Sequence, residues 1–314
     1  MDIVAAIDEA LLGRFALSKG ICTYIDLPMA HEIHKALQNP MLIPGGCAAN
    51  TAACMVSLGN KAAFLGCTAG DDIGQTVANG MKDAGIHFQH DETAAPEPGS
   101  TRIFCLTTPD GQRTFAAYYG AGEKFRNSCL HDSVIGSTRI LYMDGFTFVA
   151  ENAHHDFLNA ARLAQKEGGR VAFGPSDMSV VQKYPGIVND FLALCDIYLS
   201  NETEALAITG AGDVSTALQA LQKQGKTGVI THGKEGSLVF SPTEQHRISA
   251  PPPVTDRIDT NGAGDHYAAG FLHGLLEGWP LEKCGRLGTL CAADALTHAG
   301  ARPLQSLQKY RDML

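Results

Sequence analysis

Residues 259–276 read DTNGAGDHYAAGFLHGLL, a loop of small residues followed at once by an apolar run. The apolar positions recur at the spacing of one helix face: Ala268, Phe271, Leu272, Leu275 and Leu276. This pattern predicts an amphipathic helix that begins close to Gly264 and ends at Gly278, before Pro280. The glycines then lie at a helix amino terminus, where free N–H groups and the positive end of the helix dipole attract anions such as phosphate.

Asp265 stands at the mouth of this predicted anion site. A carboxylate there can take a proton from a hydroxyl group while the N–H groups stabilise the charge on a transferred phosphoryl group. An ordinary glycine-rich loop that ends in a first-turn Asp has the same composition, so the loop alone leaves both interpretations open. No Gly-Lys-Ser/Thr follows these glycines, which excludes a Walker P-loop here.

The chain after about residue 130 alternates short apolar runs with helical periods, as in a mainly parallel sheet covered by helices on both faces. The predicted strands are residues 140–143, 170–173, 197–199 and 228–231, and the predicted helices are 152–166, 214–224 and one that starts near Glu202. The sequence therefore predicts a three-layer α/β domain with a central, mostly parallel sheet.

The N-terminal third carries β-type segments in two separated stretches. They are residues 21–26 in the first stretch and residues 102–106 and 113–119 in the second, where Asp110-Gly111 is a hairpin signal. Two insertions that pair in this way would make a small β lid. Residues 91–99, rich in Pro, Glu and Ala, are the best candidate for a linker.

The composition argues against several classes of protein. The 314 residues are 45% hydrophobic, enough for a full core, and the net charge is −9 with no run of Lys and Arg. This balance argues against a nucleic-acid surface or a basic membrane patch. Scattered cysteines without zinc-type spacing, no secretory pattern at the start and no apolar stretch of ~20 residues favour a reduced, cytoplasmic protein.

The heptapeptide at residues 259–265 resembles the D-T-x-G-A-G-D signature of the ribokinase/adenosine-kinase (PfkB) family, and Asn261 in the variable place is a form seen in adenosine kinases. Four further segments resemble the same family in the same order, so the resemblance spans about residues 5–303. The boundaries that it implies are 1–314 for a single ribokinase-like three-layer α/β domain and about 14–42 and 99–121 for its β lid.

Residues 45–50 lead into a predicted helix over residues 51–58 and resemble the family's first signature. The resemblance implies that Gly45, Gly46 and Asn50 line the pocket of the acceptor, the molecule that is phosphorylated. In the predicted lid, residues 110–114 resemble an adenosine-kinase-type segment whose Arg, here Arg113, reaches toward the transferred phosphate. A solvated strand residue would fit the same position.

Two later segments resemble the family's nucleotide elements. Residues 201–204 are similar to its N-x-x-E element, which implies that Asn201 binds near the ATP phosphates and that Glu204 acts on Mg²⁺ through water. A helix capping box has the same spacing. Thr231, Gly233 and Gly236 resemble the T-x-G-x-x-G nucleotide loop, and they also fit a simple β-turn.

The resemblance assigns the chemistry to the loop at residues 259–265. Asp265 would be the catalytic base, and the amides of Gly262, Ala263 and Gly264 would hold the charge of the phosphoryl group. Asp259, with the loop around Gly300, would bind a monovalent cation such as K⁺.

One departure from the family concerns the acceptor pocket. Family members usually carry an Asp near the end of the first strand, in a G-[NE]-x-x-x-D pattern, that hydrogen-bonds acceptor hydroxyls. Alignment of residues 8–13 with that pattern places Gly13 where the Asp is expected. The sequence therefore predicts altered acceptor specificity with the phosphoryl-transfer machinery intact.

The predicted function is ATP- and Mg²⁺-dependent phosphorylation of a hydroxymethyl group on a nucleoside, by a monomer or homodimer with no nucleic-acid or membrane partner. The alternative is a sugar kinase of the ribokinase or fructokinase kind. A hypothesis from another class is a nucleotide-binding regulator without turnover. The retained Asp265 argues against the regulator, because a binding protein gains little from a base at a phosphate site.

Overall fold

The computed structural model describes residues 1–93, 98–251 and 260–314. Its strands are β1 (Asp2–Ala6), β2 (Cys22–Tyr24), β3 (Met41–Ile43), β4 (Ala63–Ala69), β5 (His87–Thr93), β6 (Arg102–Thr107), β7 (Arg113–Tyr118), β8 (Ile140–Asp144), β9 (Arg170–Gly174), β10 (Ile197–Asn201), β11 (Thr227–Thr231), β12 (Ser237–Phe240) and β13 (Gln245–Ile248). Its α-helices are α1 (Glu9–Arg14), α2 (Leu27–Ala36), α3 (Cys47–Ser57), α4 (Asp72–Asp83), α5 (Asp132–Ile135), α6 (His154–Lys166), α7 (Met178–Lys183), α8 (Pro185–Leu194), α9 (Glu202–Thr209), α10 (Val214–Lys223), α11 (Ala263–Leu276), α12 (Leu281–Ala295) and α13 (Gln308–Arg311).

A six-stranded sheet organises the C-terminal half of the chain. Its strand order is β13-β12-β11-β10-β9-β8, with β8 to β11 parallel and β12 and β13 antiparallel. Because the four parallel strands run the same way, their last residues lie along one edge of the sheet: Asp144, Gly174, Asn201 and Thr231. Open α/β sheets bind ligands at this kind of edge.

Alternate residues of the parallel strands enter two different cores, as the period of two in a strand requires. Phe173 and Tyr198 pack with α6, α8 and α10 on one face of the sheet. Ala172 and Leu199 pack with α11 and α12 on the other face. Helices therefore cover both faces, and the predicted three-layer α/β architecture is confirmed.

The N-terminal third forms a five-stranded sheet of order β2-β7-β6-β1-β3 and a separate parallel pair, β4 and β5. Strands β6 and β7 are antiparallel, and the turn between them contains Gly111 at a φ of +81°. The five-stranded sheet includes β2 from residues 14–42 and β6 and β7 from residues 99–121, the two stretches expected in a lid. Strand β1, which the sequence pattern did not reveal, runs parallel to β6 in the same sheet.

Helix α11 is buried more completely than the amphipathic helix that the sequence predicted. Every residue from His266 to Gly274 is buried, because α3 and α12 also pack against this helix. The two helices touch through small residues, since a Cβ added at Gly270 would lie 2.8 Å from the backbone of Gly288. The apolar spacing predicted the helix but not its full burial, because glycine and alanine give a weak hydrophobic signal.

Two predicted boundaries differ from the structure. The helix expected from residue 51 begins at Cys47, with Gly46 as its N-cap residue. The candidate linker at residues 91–99 overlaps the end of β5, which continues to Thr93, and its residues 94–97 lie outside the described part of the chain. None of the helices in the described ranges is long and apolar enough to cross a bilayer.

Candidate active site

The amino ends of α3 and α11 meet at the carboxyl edge of the large sheet and border a cavity of about 1300 Å³. Gly45, Gly46 and Asn50 line it from the α3 side, and Gly262 and Asp265 line it from the α11 side. The two glycine-rich segments, more than 200 residues apart in sequence, are therefore brought to one place. Two helix amino termini at one cavity make a strong anion-binding environment.

Asp265 lies in the first turn of α11, half-buried at the wall of the cavity. The side-chain amide of Asn50 donates to its Oδ2 atom over 2.9 Å. Burial and the nearby carboxylate of Asp144 raise the pKa of Asp265, the hydrogen bond from Asn50 lowers it, and the net result is a pKa of about 7. A carboxylate that titrates near neutral pH is suited to accept and release a proton.

The glycine loop before Asp265 has the conformation that glycine permits. Gly262 caps α11 at a φ of +75°, and a Cβ there would lie 2.7 Å from the side chain of Ala301. Ala263 is the first residue of the helix. Gly264 is exposed, and a Cβ there would meet no atom within 4 Å, so open space remains in front of the helix amino terminus.

Arg113 reaches this loop from strand β7. Its Nη1 atom donates to the side-chain oxygen of Asn261 over 2.6 Å and to the Thr260 hydroxyl over 3.2 Å. The guanidinium group therefore lies beside the loop that precedes α11 and adds a positive charge to that end of the cavity. These contacts do not agree with the alternative that the Arg113 side chain is surrounded by solvent alone.

The α3 side of the cavity contains a carboxylate that the sequence reasoning did not identify. A Cβ added at Gly45 would lie 2.1 Å from the carboxylate of Asp2, so the glycine is needed for Asp2 to occupy this place. Asp2 lines the cavity, and its charge raises the pKa of Asp265. Burial raises the pKa of Asp2 itself, whereas the positive charges of the amino terminus and Arg302 lower it. The effect of burial is the larger one.

Gly13 lies elsewhere, and the expectation that it marks the acceptor pocket is wrong. It belongs to the exposed face of α1, where a Cβ would meet no atom within 4 Å. The first strand is β1, at the start of the chain, and Asp8 is the N-cap residue of α1. The alignment failed because it matched the family's first-strand pattern to residues 8–13, which are the N-cap residue and the helix α1.

Asp144 is a second buried carboxylate that the sequence reasoning missed. It ends β8, is 6% exposed, and accepts hydrogen bonds of 2.9 Å from the backbone amides of Ala48 and Phe146. The first of these bonds attaches the amino end of α3 to the sheet. The available signal was an Asp directly after an apolar strand, at the edge where such sheets bind ligands.

The four residues that resemble nucleotide elements lie along the same sheet edge but outside the cavity lining. Asn201 ends β10 beside Thr231, the last residue of β11. Gly233 and Gly236 follow in the next turn, at φ values of +52° and +93°, and a Cβ at Gly236 would clash with the Ile248 carbonyl. The turn is thus compact. Residues 233–235 are exposed next to the sheet edge, whereas Gly236 is buried.

Asn201 and Glu204 form a capping box at the start of α9. This was the structural alternative to a role of Glu204 in binding Mg²⁺. Each donates its backbone amide to the side chain of the other, over 3.0 and 2.9 Å, and Asn201 Nδ2 donates to Glu204 Oε1 over 2.8 Å. Glu204 is 4% exposed, and burial raises its pKa to about 7. Capping accounts for the local geometry without requiring a metal.

The carboxylate of Glu204 is nevertheless suited to bind the water molecules of a hydrated Mg²⁺ ion. In the described ranges no three His, Cys, Asp or Glu side chains lie close enough to hold a metal ion by themselves. Mg²⁺ that is carried on phosphates keeps several waters and needs only one or two carboxylates. Each oxygen of Glu204 has acceptor capacity beyond its bond to Asn201. Asp259, expected at a K⁺ site, lies outside the described residues.

A family model described as pfkB family carbohydrate kinase matches residues 4–307 of this chain. Curated relatives include a ribokinase from Haemophilus influenzae, 29% identical over 273 residues and covering 84% of this chain and 85% of the relative. A nucleoside kinase from Methanothermobacter thermautotrophicus is 26% identical over 269 residues, which cover 85% of this chain and 82% of the relative.

Two solved structures share the fold over nearly the whole chain. The adenosine kinase from Sinorhizobium meliloti superposes with a TM-score of 0.89 at 31% identity, covering 99% of this chain and 95% of that one. A probable sugar kinase from Rhizobium etli gives a TM-score of 0.91 at 29% identity, covering 99% and 94%. These similarities confirm the ribokinase-like fold that the sequence predicted.

Proposed function

Since the chain belongs to the pfkB family of carbohydrate kinases and is a kinase, we propose that it transfers the γ-phosphoryl group of ATP to a hydroxymethyl group of a nucleoside. The observation that carries this proposal is the position of Asp265. Its carboxylate lies at the amino end of α11, bonded by Asn50, beside a glycine loop that leaves room for a phosphate. Proton acceptor and anion site are adjacent, as phosphoryl transfer to an alcohol requires.

Asp265 would remove the proton of the acceptor hydroxyl as its oxygen attacks the γ-phosphorus. The open space before Gly264 would receive the transferred group, where the first amides of α11 point toward its equatorial oxygens. Arg113, held against Asn261, would add a positive charge on the same side. This arrangement stabilises negative charge where it develops and leaves the base free to act.

Asp2 and Asn50 are the groups that would hold the acceptor. Both line the cavity next to Asp265, and the Oδ1 atom of Asn50 has no hydrogen-bond partner among the described residues. A carboxylate that accepts from two vicinal hydroxyls makes charge-assisted hydrogen bonds of about 1.5–3 kcal/mol each. The pair therefore suits a ribose-like diol with its hydroxymethyl group directed at Asp265.

Two observations favour a nucleoside over a free sugar. The Sinorhizobium meliloti neighbour at 31% identity is an adenosine kinase. The cavity also has aromatic walls, Phe115, Tyr119 and Phe146, on which a planar base can stack. A sugar kinase is the second candidate, because a ribokinase and a probable sugar kinase are similarly related to the chain.

ATP would lie along the sheet edge formed by Asn201, Thr231, Gly233 and Gly236. Bound Mg²⁺ would neutralise phosphate charge, and Glu204 would orient its waters. The strands from residues 14–42 and 99–121 would act as a lid over the acceptor. K⁺ near Asp259 remains an expectation from the family resemblance.

The test is a kinase assay over a panel of nucleosides, ribose, fructose and related sugars, measured as ADP release. We expect a ribonucleoside to give the highest kcat/KM. A sugar that exceeds every nucleoside by tenfold or more would replace the proposed acceptor. No acceptor-dependent ADP release with any member of the panel would contradict the proposal as a whole.

A further inference from the structure

The cavity does not end at the active site. It continues between two strands, with Ala63 to Thr68 of β4 on one side and Ile140 to Asp144 of β8 on the other. Its deeper part is lined mainly by apolar side chains, which include Met55, Phe88, Phe125, Phe157 and Leu272. A space of this kind inside a close-packed core is unusual, because protein interiors hold few voids larger than a water molecule.

Both strands have one side turned to this space. In the described residues β4 pairs only with β5, and β8 pairs only with β9. Buried backbone N–H and C=O groups are nearly always hydrogen-bonded. Over residues 63–66 of β4 and 140–143 of β8, the two strand edges that border the gap have no further strand paired with them in the described part of the chain.

The two strands run in the same direction along α11. At the start of β4, the Asn60 side chain contacts His273 near the carboxyl end of α11 over 2.8 Å, and just before β8, Arg139 bonds the Leu276 carbonyl. At the far end of β8, Asp144 holds the amino end of α3, which contacts Asp265. At the far end of β4, Ala69 donates to the hydroxyl of Ser100, next to the Thr101 carbonyl that bonds Met1. A strand between them can thus be parallel to both, which is the pattern of the rest of the sheet.

The first residue of the chain lies at the active-site end of the gap. Met1 lines the cavity, is 6% exposed, and donates its backbone nitrogen to the Thr101 carbonyl over 3.2 Å. Burial lowers the pKa of this amino group, because a buried ammonium is poorly solvated. As a peptide amide, the same nitrogen would keep the hydrogen bond without carrying a charge.

We propose that the gap is the seat of one further β-strand, parallel to β4 and β8, that continues directly into the backbone at Met1. Its length would match its neighbours, which have seven and five residues. Because apolar cores lie on both faces of the sheet, it would be apolar on both sides, as Val, Ile and Leu runs are in buried parallel strands. It would join the β4-β5 pair to the six-stranded sheet and would fix Asp2 at the acceptor site.

The test extends the full chain at Met1 with the seven-residue segment Lys-Val-Ile-Val-Leu-Val-Gly. The matched control has Pro in place of the second and fourth residues of that segment, because Pro cannot donate to a ladder and breaks central strands. Three quantities are compared for the unextended chain and both extensions: the Tm, the fluorescence of a dye that binds exposed apolar surface, and amide hydrogen exchange in residues 63–66 and 140–143.

We expect the strand extension to raise the Tm by roughly 10 °C, to lower dye fluorescence several-fold and to slow exchange at both edges at least tenfold. The Pro extension should behave like the unextended chain. If the unextended chain is insoluble, rescue by the strand extension alone supports the proposal in the same way.

Equal values for the two extensions would overturn the proposal. So would protection of both edges only in a dimer of the unextended chain, measured by sedimentation, because a second copy would then fill the gap. None of these measurements depends on phosphoryl transfer, so this proposal and the proposed function can fail separately.

Discussion

The amide of Asn50 donates to the carboxylate of Asp265 over 2.9 Å and joins two segments that lie 215 residues apart in sequence. This bond favours the ionised carboxylate, whereas burial and the charge of Asp144 favour the protonated form. The balance places the pKa of Asp265 at about 7. Asn50 therefore lowers the pKa of Asp265, the proposed base, and it also lines the cavity.

Asp265→Asn should reduce kcat by about 10²- to 10⁴-fold, the usual contribution of a general base. The affinity for ATP should stay within a few-fold of wild type, because the amide keeps the shape of the side chain. Steady-state kinetics and calorimetric titration with ATP check both values. A variant with near-normal kcat would show that Asp265 is not the base.

The same variant should be more thermally stable than wild type at pH 8. The pKa of Asp265 is raised in the folded state from 3.8 to about 7, so its unfavourable contribution grows as pH rises through that interval. Asn carries no charge at any pH, and the difference in Tm should vanish near pH 4. A Tm difference that is independent of pH would point to a packing effect instead.

The pH profile of kcat/KM for the acceptor should fall below about pH 7, because the base must be ionised in the free enzyme. Asn50→Ala removes a bond to the ionised form and should move this acid limb upward by about one pH unit. Thr51→Val is the matched control, since within the described ranges the Thr51 hydroxyl bonds only the backbone carbonyls of Cys47 and Asp265. Equal shifts in the two variants would contradict the assignment.

Glu204→Gln should raise the Mg²⁺ concentration needed for half-maximal rate and should lower kcat, because a carboxylate near the hydrated cation is lost. Gln still completes the capping box, so the helix should remain intact. Glu202→Gln, in the same helix turn and paired with His232, is the control for a general charge effect. Unchanged Mg²⁺ dependence in Glu204→Gln would leave that residue with a capping role alone.

The sequence predicted the parts of the fold that depend on local patterns. Apolar runs between helical periods located β8 to β11, and the small-residue loop located the amino end of α11. The bond between Asn50 and Asp265 required the family resemblance, since no local pattern brings these segments together. The burial of α11 by α12 was missed because glycine contacts such as Gly270 with Gly288 leave little trace in hydrophobicity.

Asp2, the carboxylate proposed to bind the acceptor, was missed for a different reason. Strand β1 has only five residues, and Asp2 precedes its apolar part, so neither length nor periodicity marked it. The motif alignment then moved to Asp8 and Gly13, which have a helical context. The clash that any side chain at Gly45 would make with Asp2 is a three-dimensional relation that the sequence does not display.

Asp2→Asn should raise the acceptor KM by about tenfold or more for diol-containing acceptors, because a charge-assisted hydrogen bond is weakened. The KM for ATP should change little. Gly13→Asp is the control, since residue 13 is exposed on α1 and should leave the ranking of acceptors unchanged. A change of ranking in Gly13→Asp, with none in Asp2→Asn, would restore the rejected alignment.

Gly262→Ala and Gly264→Ala should separate folding from catalysis within one loop. A methyl group at residue 262 meets Ala301 at 2.7 Å and sits at a φ of +75°, so this variant should lose several degrees of Tm together with activity. A methyl group at residue 264 meets no protein atom within 4 Å, and alanine is favourable in a helix. Gly264→Ala should therefore keep or raise the Tm.

The activity of Gly264→Ala should nevertheless fall by about tenfold or more, because the added methyl group enters the space assigned to the transferred phosphoryl group and displaces it from the helix amides. Thermal unfolding and kcat, measured on the same preparations, check the pair. If Gly264→Ala kept both its Tm and its full kcat, the phosphoryl group would have to bind elsewhere along the loop. The exposed amino end of α11 would then be a structural turn, and the anion site would lie nearer to Gly262 and Arg113.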